Sequence, residues 1–298
     1  MPYLVVGTWT FSKAAVATAA HCLQQNLSCT DAIEKGINQI EEDESYGPCV
    51  VGVGGYRNAA GFLELDAALM EGRGLRMRFG AVTALQGVPR AVSVARAVME
   101  NCSHNMLTGS GATAFAKEQG FTIDEKLLTA KTNYVEPLTP GHDTLGVIAL
   151  DDQGNICTGV STSGSGNKHS GRVGDSALPG NGLYTDPEVG AACCSGDGDQ
   201  IMLFCPGFRV VHLMKEGKQP QTACEEVISD IRRKCDGQLF EVAIVAINMK
   251  HEYGAASTLQ TWRDPLTGQD IKGFPYVVCT DGMSEPEIRI SKTNLKAS

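Results

Sequence analysis

Nowhere in its 298 residues does the chain approach the ~20 consecutive apolar residues that a membrane-spanning helix needs. It also lacks positive charge. Twenty-five Lys and Arg against 34 Asp and Glu give a net charge of −9, which argues against a surface for nucleic acid or anionic membrane. The six histidines show no ligand spacing, and the eleven cysteines contain no Cys-x-x-Cys pair, so no metal and no other cofactor is expected. Cys193 and Cys194 are adjacent, a spacing that suits neither an ordinary disulfide nor a metal site. An odd, scattered set of this kind reads as free thiols in a reducing compartment. The stretch Met1-Pro2-Tyr3-Leu4-Val5-Val6-Gly7-Thr8-Trp9 has no basic start, and its apolar run is too short for a signal-peptide core. The expectation is a cytoplasmic protein, or a lysosomal one if the native chain carries a leader ahead of this sequence. There is no internal repeat, no low-complexity segment and no linker long enough to separate independent domains, so residues 1–298 read as a single domain.

What the chain does have is the composition of an ordinary globule, 42% hydrophobic and 20% charged. Residues 3–9 read as a strand ending at Trp9, and the alanine-rich run from Ala14 to Gln24 as a helix. Ser28 or Thr30 can cap a second helix in which Ile33, Ile37 and Ile40 share one face. The acidic run Glu41-Glu42-Asp43-Glu44 then reads as a solvated helix end. Cys49 to Gly55 reads as a short buried strand entering a glycine turn; without a following Lys-Ser/Thr it is no phosphate loop. Strands are expected near Leu63–Ala67, Phe79–Val82, Val242–Ile247 and Tyr276–Cys279. Helices are expected from Val88 to Met99, Gly111 to Gln119, Gly198 to Lys215 and Thr222 to Lys234. Strands in runs, separated by pairs of helices, predict a layered α+β sandwich rather than a doubly wound sheet.

The centre of the chain is its most informative region. Glu136-Pro137-Leu138-Thr139-Pro140 cannot continue a helix or a central strand. Gly141-His142-Asp143-Thr144-Leu145-Gly146 follows, then the apolar Val147-Ile148-Ala149-Leu150. A turn at Asp151-Asp152-Gln153-Gly154-Asn155 leads to Ile156-Cys157-Thr158-Gly159-Val160, which reads as the hairpin partner. Thr144 therefore stands where an irregular linker enters a buried strand. Read by itself it is a strand-forming residue. A glycine- and proline-rich run, Gly171 to Gly180, is too irregular for helix or strand and carries two opposite charges, Arg172 and Asp175, three residues apart.

These stretches together resemble the glycosylasparaginase branch of the N-terminal nucleophile hydrolases. The resemblance runs through Thr8-Trp9, Gly52-Val53-Gly54-Gly55, Leu65-Asp66-Ala67, Val94-Ala95-Arg96 and Gly111-Ala112-Thr113. Its more specific motifs are His142-Asp143-Thr144, Ser161-Thr162-Ser163-Gly164, Gly171-Arg172-Val173-Gly174-Asp175-Ser176 and Gly196-Asp197-Gly198-Asp199, in that order. The resemblance implies a four-layer αββα sandwich and self-cleavage between Asp143 and Thr144, into an α-chain of residues 1–143 and a β-chain of residues 144–298. Thr144 is then the nucleophile, with its own freed amine as base. The residue type suits that chemistry: a hydroxyl needs a base within reach, and an α-amino group titrates near 8. Arg172 is implied to grip a substrate α-carboxylate and Asp175 its α-ammonium. Ser195 and Gly196 are implied as the oxyanion hole, and Thr162 as the residue that holds the nucleophile's amine. Trp9 is either a wall of the substrate site or core.

Two departures from the family pattern stand out. Valine at position 50 replaces a small polar residue, often serine, and cannot hydrogen-bond an aspartyl group. Secreted relatives have a disulfide whose first cysteine resembles Cys224, but the expected partner region reads Gly254-Ala255-Ala256-Ser257. The resemblance implies hydrolysis of the asparagine-linked N-acetylglucosamine left by glycoprotein breakdown, on a small aspartyl amide, in a dimer of αβ units. His142-Asp143-Thr144 favours that branch, because the plant-type asparaginases commonly have a small residue before the threonine. Hydrolysis of free asparagine or of β-aspartyl dipeptides is the alternative within the class. An uncleaved binding or scaffold protein of the same fold is the alternative outside it.

Overall fold

The computed structural model describes residues 2–131, 144–235 and 239–292. Gly141, His142 and Asp143 lie outside them. In chain order the elements begin with β1 (Leu4–Thr8), α1 (Lys13–Gln24), α2 (Cys29–Glu41), β2 (Leu65–Arg73), β3 (Arg76–Leu85), α3 (Ala91–Asn101), β4 (Met106–Thr108) and α4 (Gly109–Glu118). They continue with β5 (Leu145–Leu150), β6 (Ile156–Thr162), β7 (Leu183–Asp186), β8 (Gly190–Gly196), α5 (Gly198–Ile201), α6 (Pro206–Lys215) and α7 (Pro220–Lys234). The rest is β9 (Val242–Asn248), β10 (Tyr253–Ser257), β11 (Thr261–Arg263), β12 (Asp270–Lys272), β13 (Phe274–Thr280) and β14 (Glu287–Ser291). This is an α+β chain.

The central hairpin forms as its pattern predicts, β5 pairing antiparallel with β6 from Leu145–Ser161 to Leu150–Ile156. It lies in the middle of an eight-stranded sheet ordered β14-β13-β1-β5-β6-β2-β3-β4. A four-stranded sheet, β10-β9-β8-β7, packs against it, with β8 over β5 and β6 and β9 over β1. Helices α1, α2 and α3 pack on strands of the large sheet, and α6 and α7 on strands of the small one. Side chains of β8 explain the adjacent cysteines. Cys193 belongs to the core between the sheets and Cys194 to the core beneath α6 and α7, because successive residues of a strand face opposite ways. Among the described residues, which include all eleven cysteines, none is disulfide-bonded.

Three expectations need correction. Ser28 does cap α2, accepting from the Asp31 N–H at 3.1 Å, and Ile33, Ile37 and Ile40 are fully buried. But Glu41, read as solvated, is fully buried as well. Its carboxyl accepts the Ser161 hydroxyl at 2.5 Å and the Val92 N–H at 3.1 Å, so long-range partners override the acidic run. The strand expected at Cys49–Gly55 is absent: a 3-10 turn over Glu44–Cys49 leads into Val50 at φ 58°, ψ 40°, outside any strand geometry. The helix expected at Gly198–Lys215 is two, because Pro206 lacks the N–H that a continuing helix would use.

Candidate active site

Strand register brings the threonines together. Leu145 pairs with Ser161, so one step further along the antiparallel ladder Thr144 stands beside Thr162. Thr8, at the end of β1, clamps the other side: its hydroxyl donates to Thr144 O at 2.7 Å and accepts the Gly146 N–H at 2.9 Å. Gly146 has to be small, since a Cβ there would meet Cys193 Sγ at 2.6 Å. Ser195 shares the parity of Cys193 along β8 and so points between the sheets towards Thr144. Its Oγ accepts the Thr144 backbone N–H at 2.7 Å and the Trp9 indole N–H at 2.8 Å. Both lone pairs of that hydroxyl are thereby occupied, and its single proton is left to donate.

Trp9 is fully buried, stacked on Trp262 at 5.1 Å and edge-on to Phe274 at 4.8 Å. It reaches the site through its indole nitrogen. Its backbone, at φ 60°, ψ 166°, lies in a region open mainly to glycine, a strained conformation that packing holds in place. Gly196 follows Ser195 at φ 136°, and a side chain there would collide with Glu241 O, so only glycine closes the strand at this point.

Val50, Thr144, Thr162, Arg172, Asp175, Ser176, Gly196 and Gly198 line one cleft. Thr144 is 3% exposed, and its hydroxyl lies 3.1 Å from that of Ser176, a contact that reading the sequence did not anticipate. Thr162 Oγ1 donates to Val50 O at 3.1 Å and accepts the Gly164 N–H at 3.0 Å. Arg172 lies among glycines: Cβ atoms on Gly174 and Gly198 would meet its terminal nitrogens at 2.7 and 3.1 Å. Its guanidinium grips Asp199 with two hydrogen bonds, of 3.2 and 3.0 Å. The Asp199 side chain is 58% exposed, so that pair is weakly held and can open.

Asp175 is 2% exposed, and among the described residues its Oδ2 has no hydrogen-bond partner. Burial pushes its carboxyl up to about 7, with the Arg172 charge opposing. The cleft itself is tight, about 10 Å³. Larger hollows lie elsewhere, one of about 850 Å³ beside α4, but Thr144 is not in them. Among the described residues no group of three or more His, Cys, Asp or Glu is placed to hold a metal ion. The cleft thus gathers the Thr144 hydroxyl, the Arg172 guanidinium and the Asp175 carboxyl, groups suited to a free amino acid end, with the Ser176 hydroxyl and glycines beside them. Asp143, expected at the cleavage point, lies outside the described residues.

Comparison with known proteins agrees in extent. A family model described as asparaginase matches residues 6–137 and 129–263. The chain is 39% identical over 269 residues to the N(4)-(beta-N-acetylglucosaminyl)-L-asparaginase of Elizabethkingia miricola, covering 85% of this chain and 77% of that protein. It is 34% identical over 294 residues to the protein of that name from Rattus norvegicus, covering 85% and 83%. For the Mus musculus protein the figure is 33% over 297 residues, with the same coverage. Because these matches span both the chain before the central hairpin and the chain after it, the protein belongs to the asparaginase family.

Proposed function

We propose that this protein is an amidohydrolase with an N-terminal threonine nucleophile. In this reading it cleaves the side-chain amide of N4-(β-N-acetylglucosaminyl)-L-asparagine and releases aspartate. It first cuts itself between Asp143 and Thr144, giving chains of residues 1–143 and 144–298. The observation that carries the reading is the meeting of Thr144, Arg172, Asp175 and Gly196 in one cleft, with Ser195 bonded to the Thr144 nitrogen. The substrate comes from the names of the relatives. Helices on strands of both sheets support the finer fold, a four-layer αββα sandwich of the N-terminal nucleophile type. Family analogy adds a dimer of αβ units, which light scattering tests.

Cleavage turns the Thr144 nitrogen into a free amine, which takes the proton of its own Oγ1 near neutral pH. Oγ1 attacks the side-chain carbonyl. The Ser195 hydroxyl and the Gly196 N–H receive the oxyanion, each donor worth ~3 kcal/mol. The protonated amine passes its proton to the leaving nitrogen, and water then opens the β-aspartyl ester. Arg172 leaves Asp199 to hold the α-carboxylate with two parallel bonds. An α-ammonium beside Asp175 supplies the partner its Oδ2 lacks and favours the ionised carboxylate. Ser195 Oγ, which accepts the Thr144 N–H at 2.7 Å, steadies the amine, with Thr162 beside Thr144 across the ladder.

A second reading, an L-asparaginase or β-aspartyl peptidase, follows from the same clamp, which touches only the aspartyl end of a substrate. Aspartate release from glycosylated asparagine, free asparagine and a β-aspartyl dipeptide, compared as kcat/KM, tests the two. Preference for the glycosylated substrate supports the first reading, and release from none of the three sinks both.

A further inference from the structure

Thr144 is held from one more side than the chemistry above uses. Ser195 Oγ bonds its nitrogen and the Thr8 hydroxyl bonds its carbonyl, so the backbone at this residue is fixed. Backbone alone still leaves the hydroxyl a choice of staggered positions about χ1. Ser176 makes that choice. Its Oγ lies 3.1 Å from Thr144 Oγ1, and among the described residues this is the only hydrogen bond of the Ser176 hydroxyl. Both residues are buried.

Ser176 is itself tightly placed. Asp175 O accepts the Leu178 N–H at 2.9 Å and the Gly182 N–H at 3.0 Å, which closes a loop around residue 176. Gly182 has to be glycine, since a Cβ there would meet Ser176 Cα at 2.4 Å. Gly182 O then accepts the Cys194 N–H at 2.8 Å and ties the loop to β8, one residue before Ser195. The nitrogen and the oxygen of Thr144 thus meet two hydroxyls, of Ser195 and Ser176, that are fixed to one framework.

The direction of the Ser176 bond follows from the reaction. Thr144 Oγ1 gives its proton to its own amine and one lone pair to the substrate carbonyl, and what remains on it can only accept. Ser176 therefore donates. The bond matters most when Oγ1 is the leaving atom. Water's oxygen bonds to the ester carbon while a proton of that water passes to the Thr144 amine. The C–Oγ1 bond then breaks, its electron pair stays on Oγ1, and the ammonium returns the proton to that oxygen. Ser176 keeps its own proton throughout and donates to the oxygen on which charge gathers, where a hydrogen bond is strongest.

We infer that Ser176 is a further catalytic residue, whose hydroxyl aims Thr144 Oγ1 and stabilises it as the leaving group when the β-aspartyl ester is hydrolysed. The inference rests on the nucleophile assigned under the proposed function and gives a role to a residue which that reading leaves idle.

Ser176→Ala removes the hydroxyl and keeps the backbone bonds of the loop. Steady-state kinetics on an aspartyl amide, with intact mass of the acid-quenched β-chain, read the result. kcat should fall roughly 10–100-fold, as for losing a hydrogen bond to a charged oxygen, and kcat/KM should fall by less. The quenched β-chain should carry an aspartyl group to a far greater extent than that of the parent. A merely structural serine predicts a lower melting temperature with kcat unchanged, or kcat and kcat/KM falling together with no ester. Either result overturns the inference. If Ser176→Ala fails to fold by circular dichroism, Ser176→Cys decides, because its weak thiol donor should give the same accumulation. A parent that cuts itself but hydrolyses no aspartyl amide would sink the proposed substrate alone. Self-cleavage then carries the test, since Oγ1 is also the leaving atom when water opens the ester formed with Asp143. Ser176→Ala should lengthen the half-time of fragment release by the same factor, and an unchanged half-time overturns the inference. A parent that never cuts itself overturns both.

Discussion

Replacing Val50 by serine perturbs backbone, packing and chemistry at once, and the structure assigns a size to each effect. Val50 is 1% exposed and lines the cleft beside Thr144. Its left-handed backbone is held by its own N–H to Gly47 O at 2.9 Å and by Ser163 N–H on its carbonyl at 2.8 Å. A branched side chain in that conformation costs roughly 1–2 kcal/mol. Serine relieves some of that strain but gives up two buried methyl groups, at ~0.8 kcal/mol each. The two terms nearly cancel, so Val50→Ser should melt close to the parent. Val50→Thr keeps the branching and the strain while burying a hydroxyl, and should be the less stable of the pair. For activity, a hydroxyl at the cleft floor can bond the aspartyl group. One such bond is worth ~1 kcal/mol, so kcat/KM for aspartyl amides should rise about fivefold in Val50→Ser. Steady-state kinetics well below the melting temperature, with thermal melts of all three proteins, make the comparison. If neither variant turns over any aspartyl substrate faster than the parent, Val50 is packing alone. If Val50→Thr is the more stable variant, the strain argument is wrong.

Arg172→Lys keeps the charge but loses the two-pronged grip. It should lower kcat/KM by roughly 10–100-fold while still self-cleaving; equal turnover of an α-ester and the free acid by the parent would refute the clamp. Burial raises the Glu41 carboxyl from its ordinary 4.5 to about 8. The neutral form therefore contributes stability that is complete below 4.5 and is lost as pH rises through about 8. In that window the loss approaches ~1.4 kcal/mol per pH unit. Glu41→Gln should flatten the pH dependence of the melting temperature, and an unchanged slope would contradict it. Trp9→Phe keeps the stack on Trp262 but removes the N–H that orients Ser195. It should lower kcat several-fold with little change in KM, and unchanged kcat would mean the indole is only core.

Where a feature depended on local pattern, the sequence carried it. The run-turn-run of Val147–Val160 is the β5–β6 hairpin, and Ile33, Ile37 and Ile40 are the buried face of α2. Where it depended on distant partners, the sequence was silent. Strand β8, Gly-Ala-Ala-Cys-Cys-Ser-Gly, is buried on both faces, so it lacks the polar alternation that marks a half-exposed strand. Glu41 looked solvated because Ser161, the residue that makes its burial tolerable, lies 120 positions away. Val50 looked like a strand residue because two adjacent valines say nothing about the sign of φ. Among site residues, Thr144, Arg172 and Asp175 were legible from residue type, spacing and family pattern. Ser176 stood inside a family motif, but its contact with Thr144 was not legible, because the two lie 32 positions apart and no local signal marks a serine as buried.

The proposed chemistry turns on whether Thr144 becomes a chain terminus. Intact mass and N-terminal sequencing of the purified protein, beside Thr144→Ala, measure that directly. Two fragments are expected, the second beginning Thr-Leu-Gly-Val, and the Thr144→Ala protein should stay whole and inactive. A parent that remains one unbroken chain after long incubation, or a Thr144→Ala protein that still releases aspartate, would contradict it.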